Sequence, residues 1–195
     1  MSNTNCSNDS TDYSGKSGRS SISIQPNDKL IENISSIIES LIEENKNLLD
    51  YQEKLNIQKQ LIFNKDELPT ISIKNYLHRI QLFSEAEDNT LIISLIFLDK
   101  ICDTASIILT EYNVHRLLFI SILIAIKYNE DLVFELDCYS KISGMTKKEI
   151  NKLEHKFLEL IKFEVFVHKQ IFEKYKSYIN NISLMKDKIC EEDNC

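Results

Sequence analysis

Residues 113–131 read NVHRLLFISILIAIKYNED. From Leu117 to Ile126 the only polar side chain is Ser121, yet the run opens on His115-Arg116 and closes on Lys127. A helix built from this stretch is apolar around most of its circumference, so the pattern predicts a central helix with others packed around it. The lysine at its end needs a reason. It can be a C-terminal cation complementing the helix dipole, a gain of about 0.3–1 kcal/mol, or a bilayer anchor, or the working group of a site.

The rest of the chain favours an all-α protein. Its 195 residues include only three glycines and two prolines, and sheets need many turns that consume both. The length suits one domain with a sizeable core plus an arm or tail. Net charge is −7, from 23 basic and 30 acidic residues, the wrong sign for a nucleic-acid surface. The longest apolar runs, 91–98 and 117–126, fall short of the roughly 20 residues that cross a bilayer, so no membrane partner is expected. The first 21 residues lack the apolar centre of a signal peptide, which points to an intracellular protein of cytoplasm or nucleus. The sequons at Asn5, Asn8, Asn33 and Asn181 are then expected to stay unmodified. Cys6, Cys102, Cys138, Cys190 and Cys195 are odd in number and lack CxxC spacing, against both a disulfide framework and a zinc site.

Along the chain, residues 1–26 are Ser-, Asn- and Gly-rich and are expected to be disordered. Residues 27–68 hold an amphipathic helix from Leu30 to about Leu55, with Leu30, Ile34, Ile37, Ile38, Leu41 and Leu48 on one stripe, and a polar connection. After Pro69, the residues Ile73, Tyr76, Leu77 and Ile80 form the next apolar face. Ser84 to Glu87 reads as a capping box opening NTLIISLIFLDKICD, and Thr110 or Asn113 starts the central helix. A short helix in FELDCYSKI precedes Gly144, and Thr146 with Glu149 forms a second capping box for KKEINKLEHKFLELIKF. A last helix, from about 168 to 182, carries Ile171, Tyr175, Tyr178 and Ile182 on one side, within a C-terminal segment 168–195 that ends in charged residues.

Two charged pairs stand out. Glu154 lies four after Ile150, three before Phe157 and seven before Ile161, so it interrupts the buried face of its own helix. An inward carboxylate is costly unless paired, and Lys127, also beside apolar surface, is its expected partner. Asp99 ends the run LIISLIFL and Arg116 opens the central helix; antiparallel neighbours would bring them together as a structural ion pair. His78, His115, His155 and His168 show no metal-ligand spacing and read as surface or hydrogen-bonded residues. There is no glycine-rich phosphate loop and no nucleophile elbow. No catalysis, cofactor, metal or small-molecule substrate is expected.

The segments PTISIKNYLHRI, LIFLDKI, NVHRLLFISILIAIKY, SGMTKKEINKLEHKFLELIKFEVFV and IFEKY, in this order and spacing, resemble a cyclin box, in particular that of the P-type and U-type cyclins of phosphate signalling. The resemblance implies a single five-helix box over 69–167, with an extra helix on either side. It also implies a non-catalytic regulatory subunit whose partner is a cyclin-dependent protein kinase. Lys127 matches the family lysine ending the third box helix, and Glu154 the glutamate of the fifth; in the family these hold the main chain of the kinase's PSTAIRE-type helix. Asp99 matches the aspartate of the second box helix. Its usual arginine partner has no match, Thr70 falling near that position, and Arg116 is the expected substitute. A helical scaffold or a cyclin-fold transcription adaptor would be the alternatives.

Overall fold

The computed structural model describes residues 25–48, 53 and 62–192, with side chains described as far as residue 182. The expected disorder of residues 1–26 falls almost wholly outside the described residues. Among those described there are seven helices and no strand.

α1 spans Asp28–Lys46, opened by Asn27, whose side chain accepts the Leu30 N–H at 3.1 Å. Its buried stripe is Leu30, Ile31, Ile34, Ile38 and Ile42, while Leu41 and Leu48 stand outward, a rotation of the stripe expected from sequence. α1 ends at Lys46 with Asn47 as its C-cap, so the expected helix is interrupted there, and its expected end at Leu55 lies outside the described residues; Asn45 donates to the Leu109 carbonyl (3.0 Å) and Lys46 pairs with Glu111 (2.8 Å), tying the last turn to the loop ahead of the central helix.

α2 spans Ile73–Ser84 with Ser72 as N-cap, and it buries Ile73, Tyr76, Leu77 and Ile80 as the periodicity predicts. α3 spans Asp88–Ala105. The Ser84–Glu87 capping box does not form: Ser84 belongs to the last turn of α2, where its hydroxyl donates to the Ile80 carbonyl at 2.7 Å. The cap comes from a distance. Glu130, just beyond the central helix, accepts the Glu87 N–H at 3.0 Å and the Thr90 hydroxyl, supplying the negative charge that a helix N-terminus favours.

α4, Val114–Asn129, is the central helix. Every residue from Leu117 to Ile126 is buried, and α2, α3 and α6 all pack on it. Asn113 organises the turn before it by accepting the Thr110 N–H and donating to the Ile108 carbonyl, both at 2.9 Å. α5 is the short helix Leu136–Ser143, closed by Gly144 at φ +72°, a left-handed conformation that disfavours a side chain. α6 spans Lys147–Leu160 and begins with the expected box: Thr146 accepts the Glu149 N–H (3.2 Å) and Glu149 accepts the Thr146 N–H (2.9 Å).

α7, Lys169–Glu192, runs ten residues past the expected end and packs on α1 and α3. It turns Ile179 fully inward with Phe172 and Tyr175 half-buried, whereas Ile171 and Tyr178 face out. The inner face is therefore 172/175/179 in place of the predicted 171/175/178/182, with Tyr175 common to both. The five helices α2–α6 form one bundle around α4, with α1 added before it and α7 after it.

Candidate functional site

Lys127 lies on the last turn of α4, one residue after Ile126, which is 1 % exposed. Its side chain is 43 % exposed and its Nζ donates to Glu154 Oε1 at 2.5 Å. Glu154, from the middle of α6, is only 14 % exposed and sits between the buried residues Leu153 and Phe157. The contact between α4 and α6 thus brings together the two residues that the sequence singled out. The pair is asymmetric: the carboxylate is sunk into the bundle wall while the ammonium stands at the lip. Nζ has three protons and Glu154 takes one, so the lysine keeps donors directed to solvent.

Apolar surface follows Lys127 along the chain. Tyr128 packs edge-on against Phe97 at 6.0 Å yet remains 41 % exposed, and Leu132, Val133 and Phe134 are all exposed in the stretch leading to α5. After α6, Lys162 and Phe163 both adopt left-handed backbone (φ +56° and +57°), with Phe163 and Phe166 turned to solvent. Lys100 fastens this strained segment by donating to the Glu164 carbonyl at 2.7 Å and pairing with its carboxylate at 3.0 Å. These exposed aromatic and aliphatic residues escaped the sequence reading, which treated apolar residues as core. The run LVF, flanked by acids and short of any helical period, was the available signal.

Asp99 and Arg116 are not partners, which corrects the expected ion pair. Arg116 is 18 % exposed; it donates to the carbonyls of Ile62 (3.1 Å) and Asn64 (2.9 Å) and pairs with Glu149 at 3.2 Å. Asp99 accepts the Tyr175 hydroxyl from α7. The reason is the facing of each helix. The first turn of α4 looks toward the start of α6 and the non-helical segment 62–64, whose carbonyls need donors, while Asp99 lies on the side of α3 covered by α7. The guanidinium serves three acceptors that a shorter cation could not reach together. The doubly used Glu149 has a pKa below the ordinary carboxylate value, first through the Thr146 N–H and hydroxyl and then through Arg116. Burial pushes the Tyr175 phenol up, and the Asp99 carboxylate reinforces it.

His115 is the structural histidine that the sequence suggested: its Nε2 meets the Ile71 carbonyl at 2.9 Å, and its Nδ1 has no partner. Burial lowers its pKa. Among the described residues no helix is long and apolar enough to cross a membrane.

A family model described as cyclin matches residues 28–165, from the start of α1 to just past α6. Cyclin-U4-1 of Arabidopsis thaliana is 33% identical over 152 residues, covering 77% of this chain and 74% of that protein. Cyclin-U2-2 of the same plant is 36% identical over 118 residues, 60% of this chain and 51% of the relative. PHO85 cyclin-7 of Saccharomyces cerevisiae is 25% identical over 173 residues, 79% of this chain and 61% of the relative. The apolar helix ringed by its neighbours and a family match that runs through all of them lead to one conclusion: the chain belongs to the cyclin family and resembles its U-type members.

Proposed function

We propose that this chain binds and activates a cyclin-dependent protein kinase, with Lys127 and Glu154 as the clamp that receives the kinase's PSTAIRE-type helix. The observation that carries the reading is the Lys127–Glu154 pair at the lip of the bundle, 2.5 Å apart, the ammonium 43 % exposed and the carboxylate 14 %. The half-exposed ammonium keeps protons for a further acceptor, and exposed apolar residues follow it in the chain, both of which suit a partner surface. A partner helix with unpaired backbone groups could accept from Lys127 and donate to the free oxygen of Glu154, while Tyr128 and the 132–134 stretch supply apolar contact.

The mechanism is allosteric. Seating the kinase's αC helix would hold it inward, so that its glutamate pairs with the ATP-contacting lysine and the active arrangement becomes populated. ATP and magnesium would belong to the kinase. Among the relatives, the yeast protein is named as a cyclin of PHO85, which favours a kinase of that type. In this reading 69–167 is the kinase-binding box, α1 and α7 buttress it, and the N-terminal 26 residues take no part.

The test pairs two measurements on Lys127→Ala and Glu154→Ala, namely melting temperature and affinity for the kinase found by pull-down from the source cells. Folded variants that bind far more weakly, with kinase activation lost in parallel, are the expected result. Folded variants that bind undiminished would leave only a helical scaffold.

A further inference from the structure

Lys127 belongs to the last turn of α4, and the end of a helix is its least secured part, because the final carbonyls have no intrahelical partner. This turn is closed by the Glu130 N–H, which donates to the Ile126 carbonyl at 2.9 Å, and the chain then leaves in extended backbone (φ −97°, ψ 141°). The three residues that follow Lys127 all reach back to α3. Tyr128 packs edge-on against Phe97, Asn129 Nδ2 donates to Thr90 Oγ1 at 2.9 Å, and Glu130 Oε1 accepts both the Thr90 hydroxyl and the Glu87 N–H. Lys127 itself turns to α6, where it meets Glu154.

Thr90 is the joint of this arrangement. It lies in the first turn of α3 with no exposed surface, and its one hydroxyl accepts from Asn129 while donating to Glu130. A side chain so enclosed is locked by its neighbours, so two side chains from the end of α4 converge on a fixed point in another helix. The turn between Ile126 and Glu130 is thereby kept from fraying or rotating.

The two halves of the clamp differ in how they are supported. Glu154 is held by burial, between Leu153 and Phe157 in the middle of α6. Lys127 has no such support, since its ammonium ends a flexible four-carbon stem that is 43 % exposed at a helix end. A site that receives main-chain groups needs both charges in fixed register, and a loosened turn would carry the ammonium away from it.

We infer that Thr90, Asn129 and Glu130 are positioning residues for the clamp: they hold the last turn of α4 on α3 and so keep the Lys127 ammonium in register with Glu154 for a partner's main chain. This rests on the kinase-binding reading above, and it gives a part in binding to Thr90, a side chain with no surface for a partner to touch.

The experiment measures affinity for the kinase recovered in the pull-down, using the full chain at a temperature well below every melting point. Thr90→Val is the central variant, since a residue without exposed surface acts on binding only through its neighbours. It should bind at least about fivefold more weakly than the parent, and Asn129→Ala likewise. In a Lys127→Ala background neither substitution should change affinity by more than about twofold, because the turn then has no ammonium to place. Amide hydrogen exchange at residues 127–130 should quicken in Thr90→Val. Ser94→Ala is the control: it removes another buried hydroxyl of α3, one that bonds only the Leu91 carbonyl of its own helix, and should bind as the parent does. Undiminished affinity of Thr90→Val, a loss equally large without Lys127, or the same loss in Ser94→Ala would overturn the positioning role and leave the clamp standing. Full affinity of Lys127→Ala would remove the clamp and the positioning role with it. Should Thr90→Val not fold, Asn129→Ala, at an exposed position, carries the same cycle and the same exchange measurement.

Discussion

Arg116 shows how much one residue's surroundings decide. Its three acceptors are two carbonyls of a segment outside any helix and one carboxylate that also caps α6. Removing the guanidinium takes a donor from each of these acceptors in a part-buried place, so Arg116→Ala should cost about 2–3 kcal/mol in denaturant unfolding. A double-mutant cycle with Glu149→Ala should show coupling, whereas the cycle with Asp99→Ala should be additive. Coupling to Asp99 would contradict the geometry described. His115 offers a second residue-level expectation. Its folded-state pKa lies below the unfolded value of about 6.5, so the unfolded chain binds the proton more readily. Stability from this group is therefore complete above that value and declines as pH falls through it. Denaturation midpoints from pH 7.5 to 5 should drop more steeply for the parent than for His115→Gln; equal slopes would show that the imidazole does not titrate against folding.

At the scale of elements, the seven helices differ in what starts them. α1, α2 and α6 are opened by their own N-cap side chains, Asn27, Ser72 and Thr146, all within three residues of the group they cap. α3 is opened by Glu130, 43 positions from Glu87. Such a cap exists only when α4 is already in place, so the start of α3 and the end of α4 should form together. Glu130→Ala is expected to destabilise by about 1 kcal/mol, the usual worth of a cap, with Glu130→Gln recovering part of it. Ser84→Ala should leave the α3 start unaffected, and thermal melts of the three variants test this. The outer helices tell a related story: α1 and α7 turn slightly different faces inward than their own periodicity suggests, because each must fit a bundle whose shape α4 and α3 set.

For the whole molecule, the question is whether Lys127–Glu154 serves the fold or a partner. A central charged contact across an interface costs roughly 2–4 kcal/mol of binding when truncated. A deeply buried pair, once broken, costs about 3–5 kcal/mol of fold stability, with binding lost only through unfolding. In the proposed clamp, the more exposed Lys127 should lose mainly binding on truncation to alanine, and the more buried Glu154 should in addition lose melting temperature. A Lys127→Ala protein that unfolds would reverse that assignment.

Much of this was legible in the residues themselves. The scarcity of glycine and proline and the ten-residue apolar run specify a helical bundle with a buried centre, since apolar period and turn content are local properties. The lysine at the end of that run and the glutamate inside an apolar stripe were visible for the same reason: each breaks a local pattern. The tertiary structure alone decided which groups meet. Arg116 chose Glu149 and two carbonyls over Asp99, Asp99 chose Tyr175, and Glu130 became the cap of a helix it does not belong to. Periodicity reports that a face is covered without saying what covers it, and a charged side chain takes its partner from whatever the packing of distant helices brings within about 3 Å.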